Sequence, residues 1–238
     1  MWIGNTYLDS YYLGYGLVLI AFVFMLYAQM KIQSAYRKYS VVGNYYGYTG
    51  YQVARNILDS QGLQNIEINL SKRGQLSDFY DPRNKTVNLS NDVYHGTSVA
   101  SVAIAAHEVG HALQDKQEYY PLKLRSAIVP IASVSSSIGW VVLMVGFLAS
   151  AMDIALFGVV LLSATLFVQV ITLPVEFNAS SRALFYLEEN YLYSSEVDMA
   201  KKVLSAAALT YVASMFSTMM SILRLLLMIV GNNSRRRK

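Results

Sequence analysis

His107, Glu108 and His111 form an H-E-x-x-H sequence, His107-Glu108-Val109-Gly110-His111. Residues four apart on an α-helix differ by about 40° around its axis, so both imidazoles leave one face and can bind a single Zn2+. Glu108 then stands beside them as a base for the metal's water. Zinc brings the pKa of that water down toward about 7, the glutamate takes its proton, and the resulting hydroxide attacks a peptide carbonyl that the metal polarises. The same carboxyl can hand the proton on to the leaving amine. With three histidines and seven glutamates in 238 residues, such a pentapeptide arises by chance about once in a thousand chains.

Two histidines and a water leave one protein ligand to find. The chain has no cysteine, so thiolate ligands and disulfides are excluded, and imidazole and carboxylate must hold any metal. The absence of cysteine also fits a reducing compartment. His95 precedes the motif, beside Gly96; it reads either as a partly exposed loop histidine or as a hydrogen-bond donor to the transition state. The better third ligand is Glu176, 65 residues after His111 in Leu173-Pro174-Val175-Glu176-Phe177-Asn178-Ala179-Ser180. It stands just past a long apolar run, where a lone carboxylate at a bilayer boundary needs a partner. Glu188, Glu189 and Glu196 are weaker candidates with the look of a solvated helix surface.

The elements that must position these residues start with membrane spans. The hydrophobic fraction is 54% and the charged fraction 14%, and the apolar residues gather in runs too long for an ordinary core helix. Residues 11–30 carry no charge, and about 20 helical residues cover roughly 30 Å of hydrocarbon. A signal peptide is the competing reading, but the basic residues Lys31, Arg37 and Lys38 follow the run and no small-residue cleavage pattern appears. Runs 128–151 and 154–173 are separated only by Met152 and Asp153, which reads as a tight helical hairpin within 128–173. The run 206–230 contains Arg224, so it spans, lies in the interface, or packs against other helices.

Net charge is +4, and eleven of the nineteen Lys and Arg lie between the first and second runs, with three more between the third and fourth. By the positive-inside rule, residues 31–127 and the third-ligand segment 174–205 face the cytoplasm and the N-terminus lies outside. The basic tail within 231–238, Arg235-Arg236-Arg237-Lys238, conflicts with this if 206–230 crosses. No aromatic-interleaved basic motif accompanies that tail, so anionic lipid headgroups are expected as its partner and nucleic acid is not.

Within 31–127, residues 34–48 look linker-like. Thr49 opens a capping box with Gln52, and a short helix runs to Gly62. Residues 66–70 alternate as a strand, Lys72, Arg73 and Gly74 make a turn toward Leu76, and Asp81-Pro82-Arg83-Asn84 turns into a second strand at 86–89. These make a small hairpin-rich sheet; in metallopeptidases of this layout a sheet edge beside the zinc helix can pair with an extended substrate, and 86–89 is the candidate edge. Ser98 caps the alanine-rich helix that carries the motif to about residue 114.

Nearly the whole chain resembles the YugP-type neutral zinc metallopeptidases of bacterial membranes. The resemblance rests on Leu76-Ser77-Asp78, Tyr80-Asp81-Pro82, Ala105-Ala106-His107-Glu108-Val109-Gly110-His111-Ala112, residues 172–179 with Arg182-Ala183, and residues 206–213. More distantly, the order of zinc helix, membrane hairpin and Glu-Phe-x-Ala is similar to HtpX-type and prenyl-protein membrane proteases, and this resemblance implies Glu176 as a zinc ligand. Those families carry Asp four residues after the glutamate, where this chain has Ser180, a weaker acceptor for a histidine N–H. The YugP-type pattern Ser-Asp-His-Tyr-Asp-Pro is also altered, with Phe79 at its histidine position.

The reading is therefore a mainly α integral-membrane protein, one domain over 1–238, with a small cytoplasmic α+β metallopeptidase part carrying the H-E-x-x-H helix. Its expected function is zinc-dependent cleavage of protein or peptide substrates at the cytoplasmic face of the cell membrane, with His107, His111 and Glu176 on the metal and Glu108 as base. Tyr211 is a candidate oxyanion donor, although packing is the commoner use of a tyrosine. The alternative is a non-catalytic scaffold that keeps zinc for stability, against which the retained base argues. A transporter lacks support because charges are nearly absent from the spans.

Overall fold

The computed structural model describes residues 6–72, 74 and 77–236, with side chains described between residues 10 and 232. Arg73 and Leu76 of the expected turn, and Arg237 and Lys238 of the tail, lie outside the described residues. The chain is mainly helical: α1 (Thr6–Tyr39), α2 (Gly50–Ser60), α3 (Asn91–Tyr94), α4 (Val99–Lys116), α5 (Tyr120–Leu148), α6 (Met152–Asn190) and α7 (Ser194–Arg236), with three strands, β1 (Glu67–Leu70), β2 (Phe79–Asp81) and β3 (Thr86–Leu89). Four of the helices, α1, α5, α6 and α7, are long and apolar enough to cross a membrane.

Two compact units divide the chain. The first comprises Met1–Ala28, Leu124–Thr172 and Thr210–Lys238. Its helices pair antiparallel through small residues. On α6, a side chain at Gly158 would meet the Leu143 backbone nitrogen at 2.6 Å, so glycine is what lets α5 and α6 touch; the Ser135 hydroxyl donates to the Leu161 carbonyl at 3.0 Å across the same seam. Residues 149–151 alone join the two helices, as a tight hairpin requires. The helical stretches overrun the apolar runs at their 120–127 and 174–190 ends, because a helix does not stop where hydrophobicity stops.

Of the alternatives that Arg224 left open in the sequence, the structure shows α7 packed against other helices. Phe216 meets Phe24 of α1 edge-on at 5.7 Å, and the Arg224 guanidinium sits 5.2 Å over the Tyr15 ring. Gln169 of α6 donates to the Ser214 hydroxyl at 3.1 Å, while Leu225 and Ile229 pack with Met152, Ala155 and Val159. The last helix thus runs antiparallel to both α1 and α6 along its apolar length. Its cation is accommodated by an aromatic face instead of ending the helix.

The second unit, Gln29–Lys123 with Leu173–Leu209, has its own core. Amphipathic α2 is started by the expected capping box: the Thr49 hydroxyl accepts from the Gln52 N–H, and the Gln52 side chain accepts from the Thr49 N–H. It buries Val53, Ala54, Ile57 and Leu58 against α4 and the sheet. The stretch 34–48 is not a linker. Residues up to Tyr39 continue α1, Gly43 bridges Ser98, and the buried Asn44 side chain donates to the carbonyls of Thr97 and Tyr48. Its glycine and asparagine residues serve pinned turns, a use that composition does not distinguish from flexibility.

The sheet order is β1-β3-β2. β2 and β3 form an antiparallel hairpin, its turn held by the Asp81 carboxylate, which accepts from the Arg83 and Asn84 N–H groups. β1, by contrast, pairs parallel with β3. The expected edge at 86–89 is therefore corrected: β3 is the central strand, with Val87 and Leu89 buried, and the edges are β1 and β2. Alternation reveals that a segment is a strand but not its neighbours.

Candidate metal centre

All the polar residues of the site lie in the second unit. Helix α4 begins where the Ser98 hydroxyl accepts from the Ser101 N–H at 3.1 Å, and it is buried along almost its whole length. His107 and His111 leave it one turn apart, with ring centroids 4.8 Å from each other. The third group comes from α6, whose buried residues Val175, Ala179, Ala183 and Leu187 recur every four positions and turn that stripe inward.

Gly110 decides how near the two helices come. A side chain there would meet the Ala179 carbonyl oxygen at 2.6 Å and its Cα at 3.1 Å. The contact brings Glu176, 2% exposed, up to the histidines. Its Oε2 lies 3.4 Å from His107 Nε2 and 3.6 Å from His111 Nε2. One ligand atom from each of His107, His111 and Glu176 lies within 4.8 Å of the others. Gly110→Ala is accordingly expected to destabilise the fold by about 1–3 kcal/mol through overpacking. Gly16→Ala, a helical glycine with nothing within 4 Å, is the control that should leave thermal unfolding unchanged or slightly improved.

The far nitrogens of both imidazoles are held. The buried Gln114 amide nitrogen donates to the Val175 carbonyl at 2.8 Å and to Asn178 Oδ1 at 3.0 Å. A backbone carbonyl can only accept, so the amide oxygen must face His111 Nδ1, 3.0 Å away. That assigns the proton of neutral His111 to Nδ1 and leaves the Nε2 lone pair toward Glu176. His107 Nδ1 meets the Ser180 hydroxyl at 3.1 Å, so Ser180 does contact a histidine. Glu176 and Ser180, one turn apart on α6, thus take His107 by its two nitrogens.

Burial works to lower the His111 pKa, but the hydrogen bond and charge of Glu176, with the charge of Glu108, outweigh it and raise it. Such a centre favours positive charge. Three converging donors, a fixed tautomer and a buried carboxylate suit Zn2+, which prefers nitrogen and oxygen donors in a compact set.

Glu108, 8% exposed, does not join the three ligand atoms. Its Oε2 accepts from the Tyr80 N–H at 2.9 Å. Tyr80 is on β2, the edge strand beside α4, and its hydroxyl donates to Asp115 Oδ2 at 2.6 Å; Lys85 pairs with the same carboxylate. β2 is therefore fastened to α4 at both ends of one residue. Nearby, burial and the Glu108 charge push the Asp78 carboxyl up to about 6, although it accepts from the Ser90 N–H and hydroxyl.

His95 is exposed at the end of α3 against the Tyr94 ring, 4.8 Å between centroids, as a loop histidine. Glu188 and Glu189 are exposed on α6. Glu196 is not a solvated helix residue: it is buried, and its carboxylate accepts from the Tyr45 and Tyr193 N–H groups. A glutamate three residues after a helix start commonly turns back to cap it. Tyr211 lies on α7 in the first unit, 39% exposed. Sequence reasoning missed Gln114 and Tyr80; the position of Gln114, three residues after His111, is the signal that could have revealed it, since i and i+3 share a helix face.

The model of a protein family described as "Putative neutral zinc metallopeptidase" matches residues 15–230. A curated relative from Bacillus subtilis (strain 168), named "Putative membrane protease YugP", is 40% identical over 216 residues, which is 90% of this chain and 96% of that protein. No solved structure matches.

Proposed function

Because this chain belongs to the neutral zinc metallopeptidase family, we propose that it is a zinc-dependent membrane endopeptidase, with His107, His111 and Glu176 as ligands and Glu108 as general base. The observation that carries the reading is the convergence of three ligand atoms within 4.8 Å beside a carboxylate held separately by a strand N–H. A purely structural site has no use for that fourth group.

When bound, zinc supplies a Lewis acid that lowers the pKa of a water toward about 7 and polarises the scissile carbonyl. Glu108 accepts the water's proton and later delivers it to the leaving amine. The Tyr80 N–H keeps the carboxylate aimed while it is ionised, because it donates to the charged form. Gln114 and Ser180 keep the imidazoles oriented. An extended substrate has β2, not β3, as the sheet edge beside the zinc helix.

Antiparallel pairing in the first unit sets residues 28, 124, 172 and 210 at one end of its helices, and the surplus of Lys and Arg in the segments leaving that end supports a cytoplasmic site. A reporter inserted near residue 90 should be cytoplasmic and one at Met152 or Asp153 external. The reverse pattern overturns the orientation.

The direct test of function is metal analysis of the purified protein together with cleavage of unfolded membrane and soluble substrates. About one zinc per chain and chelator-sensitive proteolysis are expected. Zinc that survives in a His107→Ala, His111→Ala double variant sinks the ligand set. Gln114→Leu, which keeps the volume but removes the acceptor for His111 Nδ1–H, should weaken zinc affinity about 10–100-fold, measured by chelator competition.

A further inference from the structure

Along α4, Ser101 stands seven residues before Glu108. Seven residues make almost two full turns, so the two share a helix face about 10 Å apart. Ile104, half-buried, lies between them on that face. Beside Ser101 is a cavity of about 420 Å³, walled by Tyr36 and Ser40 at the end of α1, Asp92 on α3, and Thr97 before α4. Every one of these residues is in the second unit, with the candidate metal centre.

The chemistry of the wall is one-sided. Among the described residues that line the cavity, Asp92 is the only charged one, and the phenol of Tyr36 with the hydroxyls of Ser40 and Thr97 adds oxygen acceptors. The Ser101 hydroxyl is engaged with the Ser98 hydroxyl and the Asp92 carbonyl, which makes it a fixed floor. Asp78 is close enough to interact by charge both with Glu108 and with the Tyr36 phenol of the cavity wall, as Asp92 also does with that phenol. A cation with several N–H donors is the complementary guest, since acceptor oxygens around one carboxylate satisfy an ammonium or guanidinium and leave an anion unpaired.

We propose that this cavity is a substrate subsite that takes a lysine or arginine side chain about three residues from the scissile bond. An extended peptide advances about 3.3 Å per residue, so the 10 Å or so from Glu108 to Ser101 is spanned by about three residues. The long aliphatic stem of either side chain lies along the apolar surface that Ile104 presents, and its charged end reaches the Asp92 carboxylate. This subsite rests on the reading of the centre as a peptidase and adds to it a preference for basic segments.

The test uses the full-length protein in detergent with peptide pairs that differ only in Lys against Glu, placed in turn at each position up to four residues either side of the cleaved bond. Cleavage by the wild type is compared as kcat/KM, and binding of the same fluorescent peptides is measured on the Glu108→Gln variant, which needs no turnover. A preference for Lys of about tenfold or more is expected at one position three residues or so from the bond. In Asp92→Asn it should shrink to within about threefold, and in Asp92→Lys it should reverse toward Glu. Cleavage without any Lys or Arg preference, or a preference that persists in Asp92→Lys, overturns the subsite and leaves the peptidase reading intact. Failure of the wild type to cleave any peptide overturns the peptidase reading, and a Lys preference in binding that Asp92→Lys then fails to change removes the subsite as well.

Discussion

Glu108→Gln is expected to lower peptide-bond cleavage by about 10²–10⁴-fold while zinc stays near one per chain, because general-base assistance is worth roughly that factor. The amide matches the carboxylate in shape, and its oxygen can still accept the Tyr80 N–H that Glu108 accepts at 2.9 Å. The strand therefore stays docked. What the amide cannot do is take a proton from water. Metal analysis, thermal unfolding and steady-state cleavage on one preparation separate these effects: zinc and stability should hold while kcat falls. Cleavage at the wild-type rate would return the protein to the scaffold reading, since the carboxylate proposed as base would then be dispensable.

Glu176→Ala should instead remove zinc and activity together. The carboxylate is 2% exposed and faces both imidazoles at 3.4 and 3.6 Å. Without it two histidines remain, and the loss of metal affinity should exceed the 10–100-fold that changing a supporting residue costs. Glu176→Gln keeps the volume and distinguishes loss of a ligand from collapse of the α4–α6 contact. Both variants should release zinc to a weak chelator that leaves the wild type loaded. The other downstream glutamates offer no substitute, because Glu188 and Glu189 are exposed and Glu196 is already held by two backbone N–H groups. Full zinc and full activity in both variants would place the third ligand elsewhere.

Features that depend on neighbours a few residues apart were legible in the chain itself. A helix period puts His107 and His111 on one face, Thr49 and Gln52 cap α2 within one turn, Ser98 starts α4, and apolar runs of sufficient length make the long helices. Each follows from local geometry or from the cost of exposing apolar surface, and needs no knowledge of the rest of the chain. The approach of Glu176 to the histidines was inferred from topology and resemblance, but its closeness depends on Gly110 meeting Ala179, a contact between residues 69 positions apart.

Tertiary structure alone decided the rest. The sheet order put β3 in the middle and gave the edge beside α4 to β2, because hydrogen-bonding partners of a strand are chosen by where the chain returns and not by its alternation. Residues 40–48, rich in turn formers, became pinned through Asn44 and Gly43 once Thr97 and Ser98 were near. Glu196 left the expected solvated surface to accept from the Tyr45 and Tyr193 N–H groups. Gln114 and Tyr80, ordinary residue types with no motif of their own, came to hold His111 and Glu108. The sequence by itself determined which residues are candidates for the chemistry and where the long apolar helices, α2 and the motif helix fall; how closely those residues meet, and what holds them, arose from contacts between distant segments that burial makes obligatory and local pattern does not encode.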